Sequence, residues 1–401
     1  MHLEEGIVGS DPDKSPAREE ASEAGILSMP RPPQRNGDCH ATAWNREPNR
    51  LCLLRAQDAR GRNSSRSEGC PMYPERYPKI FPLDWSLSAD APGAVRPNAF
   101  SAPEAVERYF SRPAVPEKPA SLYVHIPFCK QNCHFCCFSR VRVSDYEPVT
   151  RYLKALKREI ELWQGSPWAA GLRFESVFFG GGTPSILRVE DIDDLLRSLK
   201  AAFKLTPDVE ISFEGSPFTL DDDDKLAVLR EHGCTRISMG IQSFDGAARK
   251  HLGLAGDLAD VTRIIQRIQN AHHWDVSIDL LYGYPGQSRQ VLESDIRHAI
   301  DLGLVNLDCY DMMNSPLDRL FWAEHLGEAP PRPDMMVRYD LTRMAFDLLE
   351  GAGYRVDNFM SEFYLEGHRC RYKEAMFSEI HELLPLGTSG AGNVGNARMI
   401  K

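Results

Sequence analysis

The chain has 401 residues, enough to bury a full core, and its length alone allows one large α/β domain or two ordinary ones. Its 57 acidic and 47 basic residues make it mildly acidic, which gives no electrostatic reason to expect binding to nucleic acid or to an anionic membrane. No apolar run approaches the roughly 20 residues of a bilayer span, and the start lacks the basic then apolar order of a secretory signal. We therefore expect a cytoplasmic protein with no membrane span.

Residues 1–95 are rich in Pro, Gly, Ser, Arg and Glu and show no sustained periodicity of a strand or a helix. Such a segment cannot bury enough apolar surface to offset its ordering entropy, so we predict that it is largely disordered. We expect residues 96–121 to form an arm that leads into the core.

After residue 121, short apolar or β-branched runs alternate with amphipathic stretches of helical length. The predicted strands are Leu122–His125, Ser176–Phe179, Glu210–Phe213, Arg236–Met239, Val276–Leu281 and Asn306–Met312. The predicted helices between or after them are Arg151–Trp163, Val189–Phe203, Asp222–Glu231, Leu258–Ala271 and Gln290–Leu302.

These repeats predict an α/β fold, because consecutive βα units require parallel strands with right-handed crossovers. Six units are too few for a closed eight-stranded barrel but suit an open, partial (β/α)6 barrel over residues 122–330. Ligands would then bind at the carboxyl ends of the strands. In residues 331–401, a helix over Met335–Leu349 and the run Tyr354–Phe359 are predicted to extend the sheet.

The most informative stretch is Tyr123 to Ser139, which places Cys129, Cys133, Cys136 and Cys137 directly after the first predicted strand. In a cytosolic chain a tight group of cysteines indicates metal binding or redox chemistry in preference to disulfides. The gaps of three and two residues between the first three suit three corners of an iron-sulfur cluster.

Zinc is the competing interpretation, although structural zinc normally requires two paired knuckles and no second knuckle is present. Cys137 is a candidate fourth ligand, but successive residues seldom direct their side chains at neighbouring corners, so we favour a structural thiol there. We interpret His125 as a hydrogen-bonding residue at the strand end and His134 as loop surface.

Three further motifs follow later strands. Phe-Phe-Gly-Gly-Gly-Thr-Pro-Ser spans residues 178–185, and its glycines allow a close approach of backbone to a ligand. Glu214 and Gln242 end the third and fourth apolar strands. Asp279 lies within the apolar run Ile278–Leu281, where an unpaired buried carboxylate is costly, so a ligand partner explains it better than core packing does.

Together these motifs resemble the radical S-adenosylmethionine (SAM) superfamily, specifically its oxygen-independent coproporphyrinogen III oxidase-like branch, over about two thirds of the chain. The resemblance implies a 4Fe-4S cluster on Cys129, Cys133 and Cys136. It also implies that the methionine amine and carboxylate of SAM bind the open iron, and that reductive cleavage yields a 5'-deoxyadenosyl radical. One SAM molecule or two are expected as cofactor. An electron donor such as flavodoxin or ferredoxin and a small-molecule substrate are implied as partners.

The resemblance also implies which residues line the cofactor. Gly181, Gly182 and Thr183 match the site for the methionine amino group, and we expect Phe135, between two cluster ligands, to pack against the adenine. The full set of expected cofactor contacts is Tyr123, Phe135, Gly181, Gly182, Thr183, Glu214, Gln242 and Asp279. No catalytic acid or base is assigned, because a carbon radical abstracts the reactive hydrogen.

The sequence departs from the pattern in two places. Family members commonly carry an Arg about twelve residues beyond the Gln, contacting the cofactor carboxylate, whereas this chain has Lys250 to Leu254, with Arg249 or Lys250 as substitutes. The heme-chaperone motif His-Asn-x-x-Tyr-Trp retains His368 and Tyr372 but has Arg369 and Lys373 at its Asn and Trp positions.

The segment 386–398 resembles the start of the branch's helical C-terminal domain, so we expect a short, apparently truncated extension. Three readings stay open: an enzyme that acts on a tetrapyrrole, an enzyme that transfers a methyl or methylene carbon to an aromatic secondary metabolite, and a heme-binding chaperone without turnover. The loss of the neighbouring groups' signatures favours the second modestly.

Overall fold

The computed structural model describes residues 110–111, 118–136, 138, 140–312, 331, 333–357, 362–376, 378, 381–394 and 397–400. The predicted disordered segment 1–95, most of the predicted arm and Cys137 lie outside these residues. From the arm, the Phe110 ring packs edge-on against Trp163 and Trp168, with centroids 4.8 and 5.4 Å away.

The strands are β1 (Pro119–Ile126), β2 (Phe128–Cys129), β3 (Val141–Arg142), β4 (Arg173–Gly181), β5 (Leu205–Gly215), β6 (Arg236–Gln242), β7 (Asp275–Tyr282), β8 (Asn306–Asp311), β9 (Arg355–Asp357), β10 (Glu362–Tyr364), β11 (Glu382–Leu386), β12 (Ala391–Val394) and β13 (Ala397–Ile400). One sheet contains nine of them, in the order β11-β1-β4-β5-β6-β7-β8-β10-β9. Within the described ranges this sheet is open, with β11 and β9 at its edges.

The helices are α1 (Glu147–Gln164), α2 (Pro167–Gly171), α3 (Val189–Ala202), α4 (Pro217–Leu220), α5 (Asp223–Glu231), α6 (Gly246–His251), α7 (Leu258–Ala271), α8 (Arg289–Asp301), α9 (Met335–Gly351) and α10 (Arg371–Met376). The six predicted strands are all present as β1, β4, β5, β6, β7 and β8, and they are parallel to one another. The predicted open α/β architecture is therefore confirmed.

The helices cover the sheet because each carries one apolar stripe. In α1 the buried residues are Val149, Leu153, Leu156 and Ile160, a spacing of three and four that keeps them on one face. Helix α7 begins at Asp257, whose side chain accepts from the Asp260 amide in a capping box. No helix in the described ranges has both the length and the apolar character needed to cross a bilayer.

The extension adds strands that the sequence did not predict. Strand β11 pairs in parallel with β1, and β10 pairs antiparallel with β8. The run predicted to extend the sheet does contain β9, but β10 lies between β9 and β8. These strands are three to five residues long, too short for their periodicity to be recognised.

The two faces of the sheet differ in composition, because side chains alternate along each strand. On β1, Leu122, Val124 and Ile126 are fully buried in the apolar core that the helices complete. Ser121 and His125 point the other way, towards a face rich in Ser, Asp, Glu and Arg side chains. We call this the polar face, and the predicted cofactor contacts on the strands lie on it.

Candidate active site at the carboxyl ends of the parallel strands

The cluster loop, residues 129–142, begins and ends in a short parallel ladder between β2 and β3. The Val141 amide donates to the Pro127 carbonyl at 2.7 Å, and the Val143 amide donates to the Cys129 carbonyl at 3.0 Å. The loop that carries Cys133 and Cys136 is therefore closed at its base by main-chain hydrogen bonds, beside the carboxyl end of β1.

Arg140 organises the interior of the loop. Its guanidinium donates to the carbonyls of Cys136, Phe138 and Cys133 at 2.5, 3.2 and 3.3 Å. Because only carbonyl oxygens are used, the thiols of Cys133 and Cys136 take no part in these bonds. Sequence analysis did not single out Arg140, and no local pattern distinguishes it from a surface arginine.

The three predicted cluster cysteines lie near one another and are partly shielded from water. Burial raises the pKa of Cys133 to about 12, and the neighbouring Cys136 and Cys129 add to this. Burial also raises the pKa of Cys129, while the Thr183 hydroxyl, which donates to its sulfur at 3.4 Å, and Arg140 oppose the shift. The thiolates thus need a positively charged partner to form.

An iron-sulfur cluster fits this set of donors. All three are soft thiols, and each would bind a different iron of the cluster, so they need not converge on one point. Consistent with that separation, no three His, Cys, Asp or Glu side chains among the described residues are placed to hold a single metal ion together.

The interpretation of His134 as loop surface is wrong. Its ring is half-buried, its amide donates to the Leu252 carbonyl at 3.0 Å, and its Nδ1 donates to the His251 carbonyl at 2.9 Å. Gly253 has φ +71°, and a Cβ there would lie 2.8 Å from the imidazole. His134 therefore ties the cluster loop to the end of α6, more than a hundred residues away, which local sequence does not reveal.

Phe135, predicted to contact adenine, packs against a small apolar cluster that includes Ala248, Leu252, Tyr284 and Met312. Its ring is half-buried at the carboxyl ends of the later strands. The structure places it at the edge of the site, and its contact with adenine stays a prediction.

The glycine motif packs β4 against the base of the cluster loop. The Gly182 amide donates to Ile126 at 2.8 Å and the Thr183 amide donates to Phe128 at 2.9 Å. A Cβ on Gly182 would lie 2.8 Å from the Phe128 carbonyl and 3.0 Å from the sulfur of Cys129. These glycines are thus required for close packing within the protein, in addition to the predicted contact with the cofactor.

Glu214, at the end of β5, accepts a hydrogen bond from the Gly181 amide. Burial raises its pKa to about 7, and Asp308 contributes to the increase, while Lys373 and the Gly181 amide oppose it. Near this carboxyl, the Tyr123 hydroxyl bonds to Nδ1 of His125 at 3.0 Å, as expected for a hydrogen-bonding residue at the strand end. Burial and Glu214 both raise the pKa of Tyr123.

Gln242 lies at a bulge in β6 and has φ +64°, an uncommon conformation for a residue other than glycine. Its side chain folds back over Gly240, whose Cβ, if present, would lie 2.8 Å from the Gln242 amide nitrogen. Gly240 is paired with Asp279 on β7. The Gln242 side chain is thus on the polar face. The predicted contacts Glu214 and Asp279 lie on the two neighbouring strands, β5 and β7.

Asp279 has a partner within the protein. It lies opposite Asp308 on β8, and the two carboxyls share a hydrogen bond. Burial, Asp308 and Glu214 raise the pKa of Asp279 well above its usual value, while Lys373 opposes the shift. An acid in this apolar strand therefore has Asp308 as its neighbour within the protein, and its contact with the cofactor stays a prediction.

Lys373 is the positively charged side chain beside Asp279 and Asp308. It is 9% exposed, forms an ion pair with the fully buried Asp308, and lies 4.0 Å from Glu362. Asn306 donates to Glu362 at 2.7 Å, which completes a connected group of buried polar side chains. Lys373 was noted in the sequence only as a departure from the heme-chaperone motif.

Residues 362–376, which we call the C-terminal cover, contribute other contacts to the polar face. His368 bonds to Asp275 at 2.7 Å, and Cys370 donates to Glu210 at 3.4 Å. The Tyr372 ring stacks on Phe178 and Tyr123, with centroids 4.2 and 5.5 Å apart. The motif residues His368 and Tyr372 are thus engaged within the fold.

Arg249 is not available for the cofactor carboxylate. It is 2% exposed and donates to the carbonyls of Ile241, Ser243, Ala255 and Gly256. Its guanidinium thus bonds to the turns on either side of α6, which begins four residues after Gln242. Of the two substitutes considered for the missing family arginine, Arg249 is therefore excluded by its contacts.

Comparison with known proteins shows what this chain is similar to in sequence and fold. Residues 123–299 match the model of the radical SAM superfamily. The chain is 33% identical over 237 residues to the anaerobilin synthase of Escherichia coli O157:H7, covering 58% of this chain and 52% of that protein. It is 31% identical over 255 residues to the heme chaperone HemW of Escherichia coli K12, covering 63% of this chain and 65% of that one.

The solved structure of the coproporphyrinogen III oxidase HemN from Escherichia coli superposes with a TM-score of 0.65 at 25% identity, covering 78% of this chain and 73% of the other. The chain spans about half to two thirds of the length of these two curated relatives. Residues 123–299 of this chain therefore form a radical SAM domain, and its relatives include proteins of the oxygen-independent coproporphyrinogen III oxidase-like branch.

Proposed function

We propose that this chain is a radical SAM enzyme that binds a 4Fe-4S cluster through Cys129, Cys133 and Cys136. The observation that supports this best is the contact between two separate motifs, in which Thr183 of the glycine motif donates to the sulfur of Cys129. The cluster loop and the proposed cofactor-binding loop are thus adjacent at the ends of neighbouring strands.

The charge on the polar face suits a cationic cofactor. Glu214, Asp279, Asp308 and Glu362 lie near Lys373, and Glu362 also lies near Arg236, so this group holds more acidic than basic side chains. SAM carries a sulfonium and an ammonium group. An entering cation lowers the pKa of nearby carboxyls, so Glu214 and Asp279, whose pKa values are raised by burial, would ionise more readily as the ligand binds. When bound, the cluster supplies one electron that cleaves SAM into methionine and a 5'-deoxyadenosyl radical.

The C-terminal cover favours an enzyme over a heme carrier. His368 and Tyr372, which keep the spacing of the heme-chaperone motif, bond to Asp275 and stack on Phe178. The Trp of that motif is replaced by Lys373, which is buried against Asp308. Nδ1 of His368, the ring of Tyr372 and the ammonium group of Lys373 are thus engaged in contacts within the protein.

We propose a tetrapyrrole as the first substrate class to test, because coproporphyrinogen and heme appear in the names of the relatives. Transfer of a methyl or methylene carbon to an aromatic metabolite is the alternative. The two differ in products: transfer of carbon from SAM releases S-adenosylhomocysteine, whereas oxidation of a tetrapyrrole side chain does not.

The function is tested by anaerobic reconstitution with iron and sulfide, followed by dithionite and SAM. We expect 5'-deoxyadenosine by mass spectrometry, and none from a variant in which the three cluster cysteines are alanine. A protein with a full cluster by iron and sulfide analysis that yields no 5'-deoxyadenosine, but binds heme, would establish the chaperone instead.

A further inference from the structure

The cluster loop exposes apolar side chains to solvent. Phe138 is 64% exposed and Val141 is 49% exposed, although both are large and hydrophobic. Lys130 and Arg142 are also exposed, one at each end of the same loop. We call these four residues the loop face. Exposed apolar side chains surrounded by charged side chains are typical of surfaces that bind another protein.

The loop face is directly connected to the proposed cluster ligands. Arg142 is paired with Cys129 in the β2–β3 ladder, where neighbouring strands lie about 5 Å apart. The Phe138 carbonyl accepts from Arg140, whose guanidinium also binds the carbonyls of Cys133 and Cys136. A protein bound on this face would therefore be close to all three thiols.

The charge of the loop face is opposite to that of the whole chain. The protein carries a net charge of −10, but residues 129–144 contain Lys130, Arg140 and Arg142 and no acidic residue. An acidic partner would be attracted here and repelled by much of the remaining surface.

We propose that the loop face is the docking site of a small acidic one-electron carrier protein of the flavodoxin or ferredoxin class. This rests on the proposed function, which requires an electron for the cluster. The reduced carrier loses one electron, the cluster gains it, and no atom is exchanged between them. Phe138 and Val141 form the apolar centre of the contact, and the basic residues form its rim.

The experiment uses the anaerobically reconstituted protein and reduced flavodoxin, with stopped-flow measurement of the loss of cluster absorbance. In the variant Lys130→Glu/Arg142→Glu we expect the second-order rate constant to fall about tenfold at low ionic strength, and by less at high salt. Phe138→Ser should increase the dissociation constant of oxidised flavodoxin, measured by calorimetry. Arg297→Glu, at an exposed arginine of α8, is the matched control and should change neither value.

Dithionite separates the possible outcomes, because a small reductant needs no docking site. We expect the variants to be reduced by dithionite at the rate of the parent protein and with equal iron content. An unchanged rate with flavodoxin, or an equal slowing with both reductants, would overturn the docking site while the proposed function stands. If the parent protein is reduced by neither, the proposed function fails and the docking proposal fails with it.

Discussion

The cluster loop and the C-terminal cover border the same polar face but are held in different ways. The loop is held through carbonyl oxygens, which accept from Arg140, His134 and main-chain amides. The cover is held through its own side chains, with Lys373 and His368 bound to buried or half-buried acids. The bonds from Arg140 thus hold the loop through carbonyl oxygens and not through its thiols, whereas the cover uses its polar side chains to complete the fold.

The largest contrast should appear between cysteines of the two regions. Cys129→Ala, Cys133→Ala and Cys136→Ala should each abolish the broad visible absorbance of the reconstituted cluster, because each removes one ligand. Cys370→Ala, at a fully buried thiol of the cover, should retain it. Cys137→Ala should retain it as well, and loss of the absorbance in that variant would mean that the ligand assignment is wrong.

We expect the C-terminal cover to contribute more than the cluster loop to the free energy of unfolding. Lys373→Met leaves Asp308 buried without its cation, and we expect a loss of about 3–5 kcal/mol in the free energy of unfolding of the apoprotein, measured by urea denaturation. The control is Lys157→Met, which breaks the exposed pair with Asp194 and should cost less than about 1 kcal/mol. Equal losses would show that the cover is not held by its ion pair.

The sequence predicted the cysteines of the loop as ligands, but it did not predict the contacts that hold the cover. The reason is physical. The cysteines are close together in the chain, so their spacing alone indicates a cluster, and each βα unit carries its own periodicity. Lys373 and Asp308 are 65 positions apart, and neither has a local pattern that predicts the other. For the same reason, the role of His134 could not be read from its neighbours, since its partner His251 is 117 positions away.

Glu214, on the polar face, should make the free energy of unfolding depend on pH. Its pKa is raised to about 7 in the folded protein, so between about pH 4.5 and 7 the folded state keeps a proton that the unfolded state loses. Stability therefore falls as the pH rises through this window, by an amount on the order of 3 kcal/mol.

The variant Glu214→Gln removes this contribution, together with the part of the Asp279 shift that Glu214 causes, because Gln does not titrate. The stability of the variant minus that of the parent should increase from pH 4.5 to 7 and then level off. A difference that stays constant over this range, in parallel denaturation series, would show that Glu214 has an ordinary pKa. Asp295, whose pKa burial raises to about 6, is common to both proteins and cancels.

The smallest expected effect concerns the contact of His134 with α6. Gly253→Ala places a methyl group against the imidazole and strains a backbone with φ +71°. Gly303→Ala has a similar φ of +67° with open space around it, so it should lose only about 1 kcal/mol. We expect Gly253→Ala to lose about 1 kcal/mol more and to retain less iron. Equal stability and iron content would show that the loop does not depend on this contact.

The position of β11 next to β1 affects the order in which the sheet and the cluster can form during synthesis. Strand β1 emerges first from the ribosome, but its outer neighbour is β11, and the ion pair beside this ladder joins Lys118 to Glu382, 264 positions later. Until then β1 has an unpaired edge next to reactive thiols, and pairings this distant in the chain form slowly. Insertion of a cluster should therefore follow synthesis of β11, since the sheet that supports Cys129 is complete only after β11 has formed.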